Sequence, residues 1–429
     1  MVDLTSNFAG ILSPNPFWLA SAPPANSGEQ IMRAFDAGWG GAVWKTLGDP
    51  IINVTSRFGG LDYRGSKVIG FNNIELITDR PIEVNLKEIY EVKKRYPRHA
   101  VIASLMVETR DEWQDLIKRC VDAGADGLEL NFGCPHGMCE RGMGSAVGAE
   151  PTACEEITRW AVEFSSIPVI VKLTPNISDI NEPAEAAVRG GAHALSLINT
   201  IKSIIGVDLK TATPLPAVGG ASTNGGYCGP AVRPIALHMV GQLGQNPAVN
   251  IPISGIGGVE TWHDALEFIF LGASNVQVCT AVMHYGYRIV EDLIEGTENF
   301  MRENGYQTID QMIGKAVPNY SDWGNLNLNH ELIAKIDADK CIGCQLCHTA
   351  CWDGAHQCIH LADDTRVPII DEAECVGCNL CQIVCPVEGC ISMVPVDNGK
   401  PRVSWNDYQQ ARSEGRDLPA GKHTSQTNF

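Results

Sequence analysis

The chain has 429 residues, 44% of them hydrophobic and 19% charged, with 43 glycines and a net charge of −18. That length suits one large domain plus a small one, the composition excludes extended disorder, and the acidic balance argues against a nucleic-acid surface. No apolar run approaches the ~20 residues of a membrane span, and the start MVDLTSNFAG lacks the basic stretch and apolar core of a secretion signal, so a cytoplasmic protein without membrane contact is expected.

Short apolar runs recur at 17–22, 41–46, 100–106, 127–132, 168–173, 194–200, 252–258 and 275–282. None alternates with polar residues, which is how strands buried on both faces of a parallel sheet read. Helix signals fill the intervals. Ser27 with Gln30 opens one, Thr109 with Glu112 forms a capping box before Trp113, Leu116, Ile117, Cys120 and Val121, and Thr261 caps another. Eight such units predict an α/β fold, a (β/α)8 TIM barrel over residues 1–312, with a doubly wound open sheet as the alternative. Two intervals, 47–81 and 201–230, are far longer than a βα connection needs. Both leave the C-terminal ends of strands, where barrel enzymes place their sites.

From 313 to 334 the pattern fades into a linker. Residues 335–395 hold two matched cysteine runs, and 396–429 read as a polar tail. Eight of the sixteen cysteines lie in these runs. Cys341, Cys344, Cys347 and Cys351 form C-x2-C-x2-C-x3-C; Cys375, Cys378, Cys381 and Cys385 repeat it, with Pro386 after. In the bacterial ferredoxin pattern each run gives three thiolates to one [4Fe–4S] cube and its fourth to the other. One cube then takes Cys341, Cys344, Cys347 and Cys385, and the other Cys375, Cys378, Cys381 and Cys351. A zinc site needs only four ligands in paired C-x2-C units, so eight in this register point to iron and sulfur. Cysteines 120, 139, 154, 228, 279, 358 and 390 are read as non-ligands, although Cys358 and Cys390 lie close to the runs. Labile clusters also require a reducing compartment.

The barrel strands end in residues unusual for a core: Ala20 and Ser21, Lys45 and Thr46, Asn131, Lys172, Asn199 and Thr200, Gly257 and Gly258, Cys279 and Thr280. Glycines after the seventh strand and a small polar residue after the eighth make a phosphate cup. With two lysines at the same mouth, the set suits a flavin mononucleotide, FMN. Cys134 follows the fourth strand in the glycine-rich segment 131–144, placed as a thiol acid or base on a closing loop. His136 reads as a loop hydrogen-bonder. No G-x-G-x-x-G lies between a strand and a helix, so no dinucleotide-binding fold is encoded here.

Asn73-Ile-Glu-Leu-Ile, Asn131-Phe-Gly-Cys-Pro-His-Gly-Met, Lys172-Leu-Thr-Pro-Asn and the cysteine tail together resemble the catalytic subunits of bacterial dihydropyrimidine dehydrogenases, and the C-terminal half of the animal enzymes. The resemblance implies flavin contacts at Ala20, Ser21, Lys45, Thr46, Lys172, Gly229, Ile256, Gly257, Gly258, Cys279 and Thr280. It implies substrate contacts at Asn73, Asn131, Phe132, Gly133, Asn199 and Thr200, with Cys134 and Lys172 catalytic. It further implies reversible reduction of uracil or thymine and a partner subunit carrying FAD and the NAD(P)H site, two of each in the assembly. Two positions depart from the usual family pattern: Gly133 stands where serine is usual and Cys139 where glycine is usual. The alternatives are a dihydroorotate dehydrogenase-like flavoenzyme, or an iron–sulfur electron carrier with no substrate of its own.

Overall fold

A computed structural model describes residues 2–48, 54–63, 66–135, 142–363 and 365–418, which divide into two compact units, Met1–Tyr320 and Ser321–Phe429. His136 and Cys139 lie outside the described residues.

The first unit is a closed barrel of parallel strands. They are β1 (Phe17–Leu19), β2 (Gly41–Leu47), β3 (Ala100–Leu105), β4 (Gly127–Asn131), β5 (Val169–Lys172), β6 (Ala194–Leu197), β7 (Ile253–Ile256) and β8 (Ala273–Val278). They pair in chain order around the ring, β8 closing on β1 and β5 on β6. All eight expected runs are strands, each shorter or longer by a few residues at its ends. Their side chains are almost entirely buried, because strand residues facing outward meet helices and those facing inward meet one another.

Local chemistry starts the helices where the sequence placed them. Ser27 accepts the Gln30 amide ahead of Gly28–Ala37, and full capping boxes join Thr109 to Glu112 and Thr261 to Asp264. The N-terminal floor was not legible. A hairpin of Ser6–Phe8 and Ile11–Ser13 packs Phe8 and Ile11 against Trp18, Val43, Ile102 and Ile170. Trp18 meets Phe8 edge-on at 5.5 Å and donates to Ser13 Oγ at 3.0 Å. This plug seals one end with apolar mass and leaves the opposite end open.

The two long intervals are not loose loops. Phe58–Tyr63 and Ser66–Asn73 from the first, with Ile201–Ser203 and Gly225–Cys228 from the second, make one antiparallel four-stranded sheet. Gly226 pairs with Asn73 in it, so two segments remote in sequence are fixed in register.

The second unit is an internal repeat. Each half runs strand, cysteine loop, helix, strand: Glu331–Ile336 to Ile359–His360 around Leu346–Gly354, then Ile369–Ile370 to Ile391–Val396 around Leu380–Val384. The first strand pairs with the last, and the two inner ones pair together. The segment 313–334, expected as a linker, is divided between the two units at Tyr320 and Ser321. Tyr320 packs on the barrel, its hydroxyl 2.7 Å from His238 Nδ1, and the chain from Ser321 belongs to the second unit. The expected polar tail likewise contains a helix, Trp405–Ser413, begun by a Ser404–Asp407 capping box. Trp405 and Trp323 lie ring to ring at 6.2 Å, a surface contact between segments that otherwise read as polar.

Candidate active site in the barrel mouth and cysteine sets of the second unit

Strand alternation builds the site floor. Trp18, Ile102, Ile170 and Ala194 belong to the apolar plug; two residues further along their strands come Ser104, Lys172 and Ser196, and Glu129 and Gln277 join the same layer. Glu129 is wholly buried. Ser196 Oγ donates to its Oε2 at 2.9 Å, Gln277 Nε2 donates to the same oxygen at 3.0 Å, and Lys172 Nζ sits 3.5 Å from Oε1. A charged layer therefore rests directly on the plug and faces the open end.

On β2 the pairing with β3 shifts between Trp44 and Leu47, and both Lys45 and Thr46 line the cavity. Consecutive strand residues ordinarily face opposite sides, so this irregularity re-aims one of them. Lys45 is 2.6 Å from Glu75, which arrives from the first long interval. Burial holds the Lys45 ammonium below the usual lysine range, with Glu75 opposing that effect. Thr46 Oγ1 lies within hydrogen-bond reach of Ser21 Oγ (3.2 Å) and Ser104 Oγ (2.9 Å).

The cleft above this floor offers about 1140 Å3 of space, the open solvent at its mouth included, and is lined by Ala20, Ser21, Lys45, Thr46, Asn73, Asn131, Cys134, Lys172, Asn199 and Thr200. Gly229, Ile256, Gly257, Gly258, Cys279 and Thr280 line it on the far side. Gly257 and Gly258 have φ of 138° and 72°, and a Cβ on either would come within 2.7 Å of Ala236 Cβ or the Gly229 carbonyl. Only glycine permits that backbone path. Burial pushes the Cys279 thiol up to about 12, so this wall adds no negative charge near neutral pH. A roomy cleft, two buried ammoniums and a glycine-lined cup match the chemistry of a flavin with a phosphorylated side chain.

A chain of polar side chains crosses the mouth. Asn131 Nδ2 donates to Thr46 Oγ1 at 3.0 Å, and Asn131 Oδ1 accepts from Asn199 Nδ2 at 3.0 Å and from the Gly133 amide at 3.3 Å. Asn199 Oδ1 accepts the Thr200 amide at 2.8 Å. From the sheet above, Asn73 Nδ2 donates to the Gly226 carbonyl at 3.2 Å. Cys134 is buried in a small cluster with Ile77, Met106 and Met143 while reaching the same cavity.

Phe132 does not line this cavity. Asn131 faces the mouth, so its neighbour turns outward, where Phe132 meets Trp113 edge-on at 6.4 Å. Gly133 stands behind Asn199 rather than in the lining, and a Cβ there would lie 2.3 Å from Asn199 Cβ. Three residues went unassigned in the sequence: Glu75, Glu129 and Gln277. A carboxylate inside the apolar run 127–132 was the available signal for Glu129. Glu75 lies within the Asn73-Ile-Glu-Leu-Ile motif, where its sequence neighbours give no sign of a role.

In the second unit Cys351, Cys375, Cys378 and Cys381 line one cavity, joined by Cys358. In the other set Cys347 faces Cys341 and Cys344, while Cys390 contacts both Cys341 and Cys385. Each grouping draws three thiols from one run and one from the other, the donor set that a pair of cubes needs. The trio His263, Asp264 and Glu267 offers no comparable centre, since Arg233 pairs with both carboxylates.

Residues 3–301 match the dihydroorotate dehydrogenase family, and residues 334–393 match the 4Fe–4S dicluster domain. The chain is 44% identical over 393 residues to the NAD-dependent dihydropyrimidine dehydrogenase subunit PreA of Escherichia coli K12, covering 91% of this chain and 95% of that one. It is 44% identical to the chloroplastic dihydropyrimidine dehydrogenase (NADP(+)) of Arabidopsis thaliana over 73% of this chain and 77% of that one. It is 35% identical to the catalytic subunit of dihydroorotate dehydrogenase B (NAD(+)) of Pyrococcus abyssi, over 73% and 99%. No helix among the described residues is long and apolar enough to cross a membrane. The chain belongs to the dihydroorotate dehydrogenase family and, within it, to the dihydropyrimidine dehydrogenase catalytic subunits, oxidoreductases that join a flavin barrel to an iron–sulfur relay.

Proposed function

We propose that the chain adds hydrogen across the C5–C6 bond of uracil or thymine, and removes it in reverse, within the barrel mouth. The observation that carries this is the meeting of Cys134 with Asn73, Asn131, Asn199 and Thr200 in a cavity whose cations are already paired. A pyrimidine dione alternates carbonyl and N–H, and carboxamides offer both donors and acceptors without charge. A site of this kind strongly rejects rings that lack the matching polar atoms.

FMN held in this cleft would supply hydride chemistry, and the clusters would supply single electrons to it. Lys45, Thr46, Ala20, Ser21 and Lys172 hold the ring and its chain, with Gly229, Ile256, Gly257, Gly258, Cys279 and Thr280 at the phosphate end. Lys172, kept in place by Glu129, would offer a fixed positive charge to the reduced flavin. The Cys134 sulfhydryl gives its proton to C5 from the opposite face, and its thiolate takes that proton back in the oxidative direction. Hydride and proton together balance the dihydro product.

The crossed cysteine sets hold the two cubes: Cys341, Cys344, Cys347 and Cys385 for one, Cys375, Cys378, Cys381 and Cys351 for the other. Electrons enter from a partner subunit with FAD and an NAD(P)H site, two of each in a cytoplasmic assembly. Turnover of dihydroorotate is the second reading, since that family matches the barrel. Its carboxylate needs an unpaired cation beside the ring. Among the described residues lining the cavity, Lys45 and Lys172 are the only lysines or arginines, and each faces its own carboxylate.

The test is anaerobic assay of the purified chain with an FAD-containing, nicotinamide-oxidising partner. Oxidation of NAD(P)H that depends on uracil or thymine and on the partner is expected. Turnover of orotate in place of uracil, or NADH oxidation by this chain alone, would overturn the reading.

A further inference from the structure

The second unit carries a symmetry that extends past its eight proposed ligands. Asp337 and Asp371 each stand four residues before the first cysteine of a run. The Cys341 amide donates to the Asp337 carbonyl at 3.0 Å, and the Cys375 amide donates to the Asp371 carbonyl at 3.0 Å. In turn the Asp337 amide donates to the Cys390 carbonyl at 2.8 Å, and the Asp371 amide donates to the Cys358 carbonyl, also at 2.8 Å. Cys358 and Cys390 are thus equivalent positions of the repeat, each one residue ahead of its closing strand, Ile359–His360 or Ile391–Val396.

Both are buried, with 4% and 3% exposure. Neither side chain is spent on apolar packing alone. Cys358 Sγ is 3.5 Å from Cys351 Sγ and also contacts Cys375, two members of one crossed set drawn from different runs. Cys390 contacts Cys341 and Cys385, the corresponding two members of the other. Cys358 shares a cavity with all four thiols of its set. A sulfur–sulfur separation of 3.5 Å is far shorter than two ligands on different corners of one cube adopt, and it suits a thiol leaning on a ligating sulfur.

We infer that Cys358 and Cys390 are positioning thiols, each donating an S–H hydrogen bond to the cluster-ligating thiolates of its own set and raising that cluster's reduction potential. The inference rests on the crossed ligand assignment proposed above. A donor aimed at a ligating sulfur favours the more negative, reduced cluster, so its presence shifts the couple upward. The Asp337 carbonyl, 3.7 Å from Cys390 Sγ, competes for that thiol's proton, so the effect is larger at Cys358.

The experiment is potentiometry of the full-length, cluster-loaded protein followed by electron paramagnetic resonance, beside iron analysis. Cys358→Ala should keep about eight iron atoms per chain, four per cube, while one cluster moves to a more negative midpoint and the other stays. Cys358→Ser, which retains a donor, should recover most of the shift. Cys390→Ala should move the other cluster, by less. Loss of about half the iron in both Cys358 variants would make Cys358 a ligand and overturn the proposal. Unchanged potentials at full iron content would overturn it as well. The ligand assignment is tested apart from this: Cys351→Ala and Cys378→Ala must abolish the same cluster signal, and if they abolish different ones the crossed sets themselves are wrong.

Discussion

Lys172 and Glu129 form an ion pair inside the barrel, Nζ to Oε1 at 3.5 Å, with side-chain exposures of 7% and 0%. No hydrogen bond reaches Glu129 Oε1, so the ammonium is its counterpart, while Oε2 is taken by Ser196 and Gln277. Breaking such a pair from one side leaves a buried charge uncompensated, at a cost of about 3–5 kcal/mol. Glu129→Gln should therefore destabilise the unloaded protein by about that amount in denaturant unfolding. Adding Lys172→Met to it should restore most of the loss, because both charges are then gone. A double variant no more stable than Glu129→Gln would show that the pair is not what holds this layer together.

Cys134 lines the mouth together with Asn73, Asn131 and Asn199. Cys134→Ala should bind flavin normally, judged by the visible absorption of the purified protein, yet lose pyrimidine turnover by at least ~10²-fold. Cys134→Ser should retain a little more activity, as a weaker acid in the same place. Full turnover in the alanine variant would remove Cys134 from proton transfer.

Gly133 matters for what it lacks. A Cβ at 133 would sit 2.3 Å from Asn199 Cβ and 2.6 Å from its Nδ2, and Asn199 is hydrogen-bonded to both Asn131 and Thr200. Gly133→Ser must push Asn199 off that position. The loss of one well-placed neutral hydrogen bond costs about 1 kcal/mol, so KM for uracil should rise by roughly 5-fold to 10-fold with kcat little changed. An unaltered KM would mean that Asn199 does not position the ring.

Much of this site was legible because barrel strands keep a strict alternation. Ser21, Lys45, Asn131, Lys172 and Thr280 interrupt or end apolar runs, and a polar residue there has few places to face except the mouth. The cysteine spacing was equally direct, since a loop around a cube dictates it. Phe132 does not line the cavity, because adjacency in a motif says nothing about which side of the strand a residue takes. The four-stranded sheet was invisible for another reason: Ser66–Asn73 and Gly225–Cys228 meet across more than 150 residues, and neither carries a strong strand pattern. The Trp323–Trp405 contact joins distant segments in the same way, and polar composition around each tryptophan disguised them as linker and tail.

Glu88 gives a pH-dependent prediction away from the site. Its Oε2 accepts the Gly28 amide at 2.7 Å, the first residue of the helix Gly28–Ala37, and the Arg80 guanidinium at 2.6 Å. The Arg80 hydrogen bond holds the Glu88 carboxyl below its usual range, with burial opposing and the Gly28 amide assisting. A carboxyl whose folded value lies below the unfolded 4.5 stabilises the protein above that pH, and the benefit fades as pH falls through the folded value. Glu88→Gln should cost about 2 kcal/mol at pH 7, the worth of charge-assisted bonds at a partly buried helix start. At pH 3 the difference should shrink, because the native carboxyl is losing its charge as well. Urea unfolding of both proteins at the two pH values measures this directly, and an equal gap at both would assign the effect to shape rather than charge.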